Sequence, residues 1–257
     1  MTAEAMAKRI DGWLRERADA EFGAGQRRFF QHEVASYGTR GDAVREVARL
    51  VYGEVKAWAP EQREELMERL WKLGRLESGA VVCHVMRRFA RGFGRREFEL
   101  FERWLEDHVR NWAHTDGVAS WLVAGCLARD ERLLAGVWGW TDSPNRWKRR
   151  AAAVSLLQEA KQGRQTEFVL RVAKKLLPDR DDMVEKGVGW LLKEAYPRRP
   201  AEVVRFLVEE GRQASRLTLR YAAEKMTVAD RRRVLGGGAG KEGSARKRGG
   251  GRAKQDP

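Results

Sequence analysis

The 257-residue sequence predicts an all-α fold, an α-solenoid of stacked helix pairs, on three observations. Apolar residues recur at helical spacing along almost the whole chain. No segment sustains the period-two alternation of a strand with hairpin turns. The links between periodic runs are short, which makes successive helices antiparallel neighbours. The clearest run is 41–58, where Val44, Val47, Ala48, Val51, Val55 and Trp58 form one stripe. Comparable stripes place helices near 3–21, 26–36, 61–73, 78–91, 95–107, 111–128, 130–140, 144–160, 165–177, 182–196, 200–211, 215–226 and 227–235. The units share no obvious consensus, so the repeat is degenerate, and a helical bundle is the alternative.

Local signals support these boundaries. Pro60, Pro144 and Pro200 each stand where a periodic run begins, as a proline in a first helical turn does. Ser215 and Thr227 read as N-caps, the latter with Asp230 three residues on. The pattern stops after Leu235. Residues 1–235 are expected to form one helical-repeat domain, and the Gly-rich, basic stretch 236–257 a disordered tail.

Charge narrows the partner. Lys and Arg number 51 against 37 Asp and Glu, giving a net +14, and the isoelectric point is about 10.2. The tail carries six basic residues (Lys241, Arg246, Lys247, Arg248, Arg252, Lys254) and two acidic ones (Glu242, Asp256). Most of the excess therefore belongs to the helical domain, as expected of a polyanion binder with a basic face. No run approaches the ~18 apolar residues a membrane span needs. The N-terminal MTAEAMAKRIDGWLRER is amphipathic and lacks a signal-peptide core, so the cytoplasm or nucleoid is the expected location. Cys83 and Cys126 sit in apolar patterns and are expected to be reduced core thiols.

Several chemistries find no footing. His32, His84, His108 and His114 are scattered without metal-ligand spacing, and no metal or cofactor is expected. Gly92-Phe93-Gly94 is a helix break rather than a phosphate cradle, and no Ser or Cys nucleophile motif occurs. The 10 tryptophans stand out. Trp58, Trp71, Trp104 and Trp121 lie on apolar stripes and are expected in the core.

Three segments resist a purely structural account. Trp112 and Asp116 are four apart and share a helix face. A carboxylate beside an indole in a basic protein either repels phosphate for a purpose or is an ordinary surface or capping acid. Arg146, Lys148, Arg149 and Arg150 crowd the start of a helix around Trp147, where the macrodipole disfavours cations. Either an anion offsets that cost or the cations are a solvated face. Gly187 and Gly189 flank Val188 before Trp190, each costing about 1 kcal/mol relative to alanine in a helix. They either uncover the indole or allow close helix packing.

These segments resemble the AlkD-like DNA alkylation-repair glycosylases, a family of HEAT-like helical repeats, with the likeness spanning most of 37–226. The family's Trp followed four residues later by the catalytic Asp falls on Trp112 and Asp116. Its Trp-x-x-Arg-Ala-Ala helix falls on Trp147-Lys148-Arg149-Arg150-Ala151-Ala152. Its later Gly-Trp helix falls on Gly189-Trp190-Leu191-Leu192-Lys193-Glu194. The Tyr37-Gly38 entry to the third helix also matches. Asn111 stands where a relative has a second aromatic, and the 37–41 turn lacks a proline common there.

The resemblance implies a right-handed solenoid with a basic concave face. It implies a monomeric enzyme that excises cationic N3- or N7-alkylated purines from duplex DNA without flipping the base. Asp116 would be catalytic, Trp112 and Trp190 would contact lesion or sugar, and Arg150 would hold the DNA backbone. Arg149, Lys148, Lys186 and Lys193 are expected to add backbone contacts. Two alternatives stay open: a non-catalytic DNA-binding scaffold, and a helical-repeat adaptor for acidic proteins.

Overall fold

A computed structural model describes residues 1–30 and 34–236. Among the described residues the chain is helical, with no strand beyond one isolated bridge between Ala18 and Thr39. In chain order the helices are α1 (Ala3–Glu16), α2 (Ala20–Arg27), α3 (Gly41–Val55), α4 (Pro60–Lys72), α5 (Leu76–Met86), α6 (Arg95–Asp107), α7 (Trp112–Gly117), α8 (Ala124–Leu127) and α9 (Leu134–Trp140). They continue as α10 (Arg146–Val154), α11 (Leu157–Gln162), α12 (Thr166–Leu176), α13 (Asp182–Ala195), α14 (Pro200–Glu210), α15 (Arg216–Ala222) and α16 (Val228–Gly236). A π-helical segment, Val118–Val123, joins α7 to α8 without a break.

The packing follows a skip rule. Helices α3, α5, α7, α10, α13 and α15 form one row, each against the next. Helix α4 packs on α5, α6 and α9 on α10, α12 on α10 and α13, and α14 on α13, making a second row behind the first. This is the helical-repeat arrangement expected from short antiparallel connections. The apolar stripes meet between the rows in one continuous core that includes Ile10, Val47, Leu70, Phe101, Trp104, Leu122, Val154 and Leu191. Trp71 and Trp104 are buried and Trp58 packs at the edge, as the stripes required. Burial also raises both free thiols, Cys83 and Cys126, to about 12, which leaves them unreactive.

Capping explains where the elements differ from expectation. Pro60 and Pro200 open their helices and Ser215 accepts the Thr218 amide, as predicted. Pro144 instead lies outside α10, because the Asn145 side chain accepts from the Trp147 amide at 2.9 Å and starts the helix there. The span 144–160 divides into α10 and α11. The helix expected over 26–36 is replaced by α2, started by Asp19 accepting from the Phe22 amide. Downstream, Glu77 draws the amides of Tyr37, Gly38 and Thr39 at 2.9–3.1 Å, which removes them from any helical ladder. Gly38 sits at φ +83, and a Cβ there would collide with the Asp19 carbonyl oxygen. Residues 31–33, including His32, and 237–257, nearly all of the expected tail, lie outside the described residues; Gly236 is the last residue of α16.

The two glycines of α13 have different causes. A Cβ on Gly189 would stand 2.5 Å from Tyr221 Cβ and 2.9 Å from the Thr218 carbonyl oxygen, so α15 approaches α13 through that gap. A Cβ on Gly187 would stand 3.4 Å from Arg150 Cγ, an ordinary contact. Gly189→Ala is therefore expected to destabilise by roughly 1–3 kcal/mol through overpacking, despite alanine's better helix propensity. Gly187→Ala should be neutral or stabilising by up to about 1 kcal/mol. Urea unfolding of the two variants checks the contrast, and equal midpoints would refute the packing argument.

Candidate functional site

The site is built on α7. Asn111 caps this helix, accepting from the His114 amide at 2.9 Å. The His114 ring turns inward, one nitrogen 2.9 Å from the Leu76 carbonyl oxygen and the other 3.1 Å from the Asn111 side-chain amide. Burial holds its pKa below the usual histidine value, so the ring is neutral; Nε2 donates to the carbonyl and Nδ1 accepts from Asn111. Gly79 leaves the room for it, since a Cβ there would collide with the ring. Asn111, the position at odds with the relative, thus fixes the start of the helix that carries Trp112 and Asp116.

Asp116 faces Arg150. Arg150 Nε donates to Asp116 Oδ1 at 2.8 Å and Nη2 to Oδ2 at 2.9 Å, while Nη1 donates to the Met183 carbonyl at 2.5 Å. One guanidinium therefore ties three successive helices of the row, α7, α10 and α13. Only 7% of the Arg150 side chain and 17% of the Asp116 side chain are exposed. Burial raises the Asp116 carboxyl above its ordinary 3.8, and the forked guanidinium pulls it down. The fork satisfies one lone pair on each oxygen and leaves the others open for the cleft.

That cleft, about 790 Å³, runs from Asp116 along α7, α5 and α3 under α2. Trp112, Asp116 and Trp190 all line it, so the structure brings these three predicted residues together. One face of Trp112 stacks on Phe30 at 5.3 Å and 18°, and its Nε1–H donates to the Phe29 carbonyl at 3.2 Å. Trp190 is held by an Nε1–H bond to Glu194 at 3.2 Å.

The predicted cations are placed differently. Arg150, expected to grip a phosphate, is buried against Asp116 instead. Lys148 lies 3.1 Å from Glu102 and 3.6 Å from Glu106. Arg149 bonds Asp179 at 2.7 Å and two backbone carbonyls, those of Ser143 and Pro144. Lys186 pairs with Asp182 at 3.0 Å and Lys193 with Glu224 at 2.8 Å. All five carry a carboxylate partner, four of them from a distant stretch of the chain, and none lines the cleft. The crowding of cations at the start of α10 is thus offset by acids of the neighbouring repeats rather than by a solvated face.

Trp121 also departs from expectation. It is 37% exposed and lines the cleft. The cause is the π-helical segment. With i→i+5 bonding the turn is wider than in an α-helix and brings a residue five positions on nearer the face of the first, and Trp121 lines the cleft with Asp116 rather than entering the core. The Ser120 hydroxyl donates to the Asp116 carbonyl at 2.6 Å within this turn. His84 packs against Trp121 at 4.9 Å, and burial together with Arg87, Arg45 and Arg88 lowers its pKa to about 4. His108 pairs with Glu68 at 2.7 Å, away from the cleft. No cluster of metal-ligating side chains and no helix long and apolar enough to cross a membrane occurs among the described residues.

A family model described as DNA alkylation repair enzyme matches residues 10–226. No curated protein matches the chain. Among solved structures, one described as a predicted DNA alkylation repair enzyme from Enterococcus faecalis superposes with a TM-score of 0.74 at 16% identity. The match covers 82% of this chain and 98% of that one; at that identity it supports the shared helical-repeat fold. With the family match running over most of its length, the chain belongs to the DNA alkylation repair enzyme family.

Proposed function

We propose that the protein is a DNA glycosylase that hydrolyses the N-glycosidic bond of N3- or N7-alkylated purines in duplex DNA. The observation that carries this is the Asp116 carboxylate, set at the cleft in line with Trp112 and fixed from behind by Arg150. An alkylated purine is already cationic. It leaves with both electrons of the bond to the anomeric carbon and becomes neutral, so no strong general acid is needed. Positive charge then develops on the sugar. Asp116 meets that charge and orients a water, whose hydroxyl joins the anomeric carbon while its proton is released.

The tryptophans supply faces for the sugar or the cationic base. Because Phe30 covers one face of Trp112, the opposite face does this work. The family resemblance implies that the base stays in the stack while Asp116 meets the sugar. Arg150 is a positioning residue here. It keeps the carboxylate ionised in an apolar setting and sets its angle.

These roles separate in mutant kinetics. In single-turnover assays with N7-methylguanine duplex, Asp116→Asn should slow excision by about 100-fold, the scale of one lost electrostatic group. Affinity for undamaged duplex should hold. Arg150→Lys keeps the charge and loses the fork; it should also slow excision and leave that affinity unchanged. A phosphate-gripping Arg150 would show the reverse. Parental excision by Asp116→Asn would favour a non-catalytic DNA-binding scaffold.

The pH profile is a second check. Asp116 works as an anion and its pKa is raised by burial, so activity is present above that pKa and lost on acidification. The acid limb of kcat/KM should lie above the 3.8 of an ordinary aspartate. Asp116→Asn should abolish this limb. A limb that survives the substitution would assign the titration elsewhere.

A further inference from the structure

The cations expected to hold DNA are spent on carboxylates, yet the chain carries a net +14. Three arginines on or just after α3 and α5, one of them lining the cleft, are not spent in this way. Arg45 on α3, and Arg87 and Arg88 just after α5, are exposed, and no carboxylate pairs with any of them among the described residues. Each is held by other means. The Arg87 guanidinium lies 4.8 Å from the Trp121 ring centre and that of Arg88 lies 5.0 Å from Tyr52. Arg45 lines the cleft and folds back over Gly41, whose Cβ position lies 3.5 Å from Nη1.

The chemistry of the two kinds of support differs. A carboxylate orients a guanidinium by consuming its donors and cancelling its charge. An aromatic face orients it through the ring quadrupole and leaves the donors and the charge available. All three charges also help lower the pKa of His84, the half-buried ring that packs on Trp121 and lines the cleft with Arg45. A cluster of oriented, uncancelled guanidiniums beside the reactive cleft suits bidentate phosphate recognition.

We infer that Arg45, with Arg87 and Arg88 braced by Trp121 and Tyr52, forms the site that grips the DNA phosphodiester backbone on the α3–α5 side of the cleft. The inference takes DNA as the ligand, as the proposed function does, but it does not depend on the chemistry assigned to Asp116. The π-helical turn gains a role from it: the turn delivers Trp121 to the surface, where it braces Arg87.

The test is equilibrium binding of undamaged duplex over a range of salt, using the full chain. The Arg45→Gln/Arg87→Gln/Arg88→Gln variant should bind about tenfold more weakly or worse near 0.1 M salt. Its log–log salt slope should fall by about 2.7, at ~0.9 for each phosphate no longer neutralised. Arg87→Gln alone should lower the slope by about 0.9, whereas Arg205→Gln on α14 of the second row should leave it unchanged. Trp121→Leu should weaken binding severalfold while Trp121→Phe restores it, which removal of a merely packed ring would not do.

A triple variant with parental affinity and slope would overturn the inference. So would an equal loss from Arg205→Gln, because the effect would then be net charge rather than place. Loss of excision at saturation with binding intact would likewise contradict it, assigning the arginines to the reaction. Because the readout is binding, an inactive parent protein would refute the glycosylase proposal and leave this test standing.

Discussion

The arrangement of the site depends on a buried ion pair, Asp116 with Arg150. Taking two charges out of water costs several kcal/mol per ion, and attraction offsets this only when the geometry is good and the remaining donors are satisfied. Here the geometry is good and each guanidinium nitrogen has a partner. The fork is bidentate at 2.8 and 2.9 Å, and the third arm of the guanidinium ends on the Met183 carbonyl. Such a pair contributes little net stability over an apolar replacement, but losing one partner leaves a buried charge. Its consequence is geometric. It sets α7, α10 and α13 in register, and with them Trp112, Asp116 and Trp190.

The rest of the charge distribution divides along the same physical line. Where cations face a neighbouring repeat they meet acids, as Lys148 meets Glu102 and Lys193 meets Glu224. On the α3–α5 side of the cleft, Arg87 and Arg88 rest on aromatic rings instead. A cation held by a carboxylate has its charge cancelled, whereas one held by a ring keeps its charge and donors free for an anionic partner.

The sequence made one side of each helix legible and not what lies across from it. Periodicity located α3, α4, α6, α12, α13 and α14 because their stripes keep the regular helical period. The four-residue spacing of Trp112 and Asp116 placed both on one face, and the structure puts both at one cleft. Trp121 was misplaced because the π-helical segment changes the period after Gly117, and no local residue signals that change. The Asp116 partner of Arg150 was not legible because it lies 34 residues away in the chain; a helix start crowded with cations looks the same whether the anion is a phosphate or a buried carboxylate. The error at 26–36 has a local cause, since Asp19 captured the helix start and Glu77 drew off the amides of 37–39. The Asn111 cap was readable in principle, as a cap residue at the foot of a helical stripe.

The central claim is that Asp116 and Arg150 act as one device, the arginine working only through the carboxylate it orients. A double-mutant cycle on single-turnover excision measures this directly, using Asp116→Asn, Arg150→Lys and the two combined. If the arginine acts only through the aspartate, the double variant excises N7-methylguanine no more slowly than Asp116→Asn alone. If the two losses multiply, Arg150 serves the reaction by a separate route, and the account of the site is wrong.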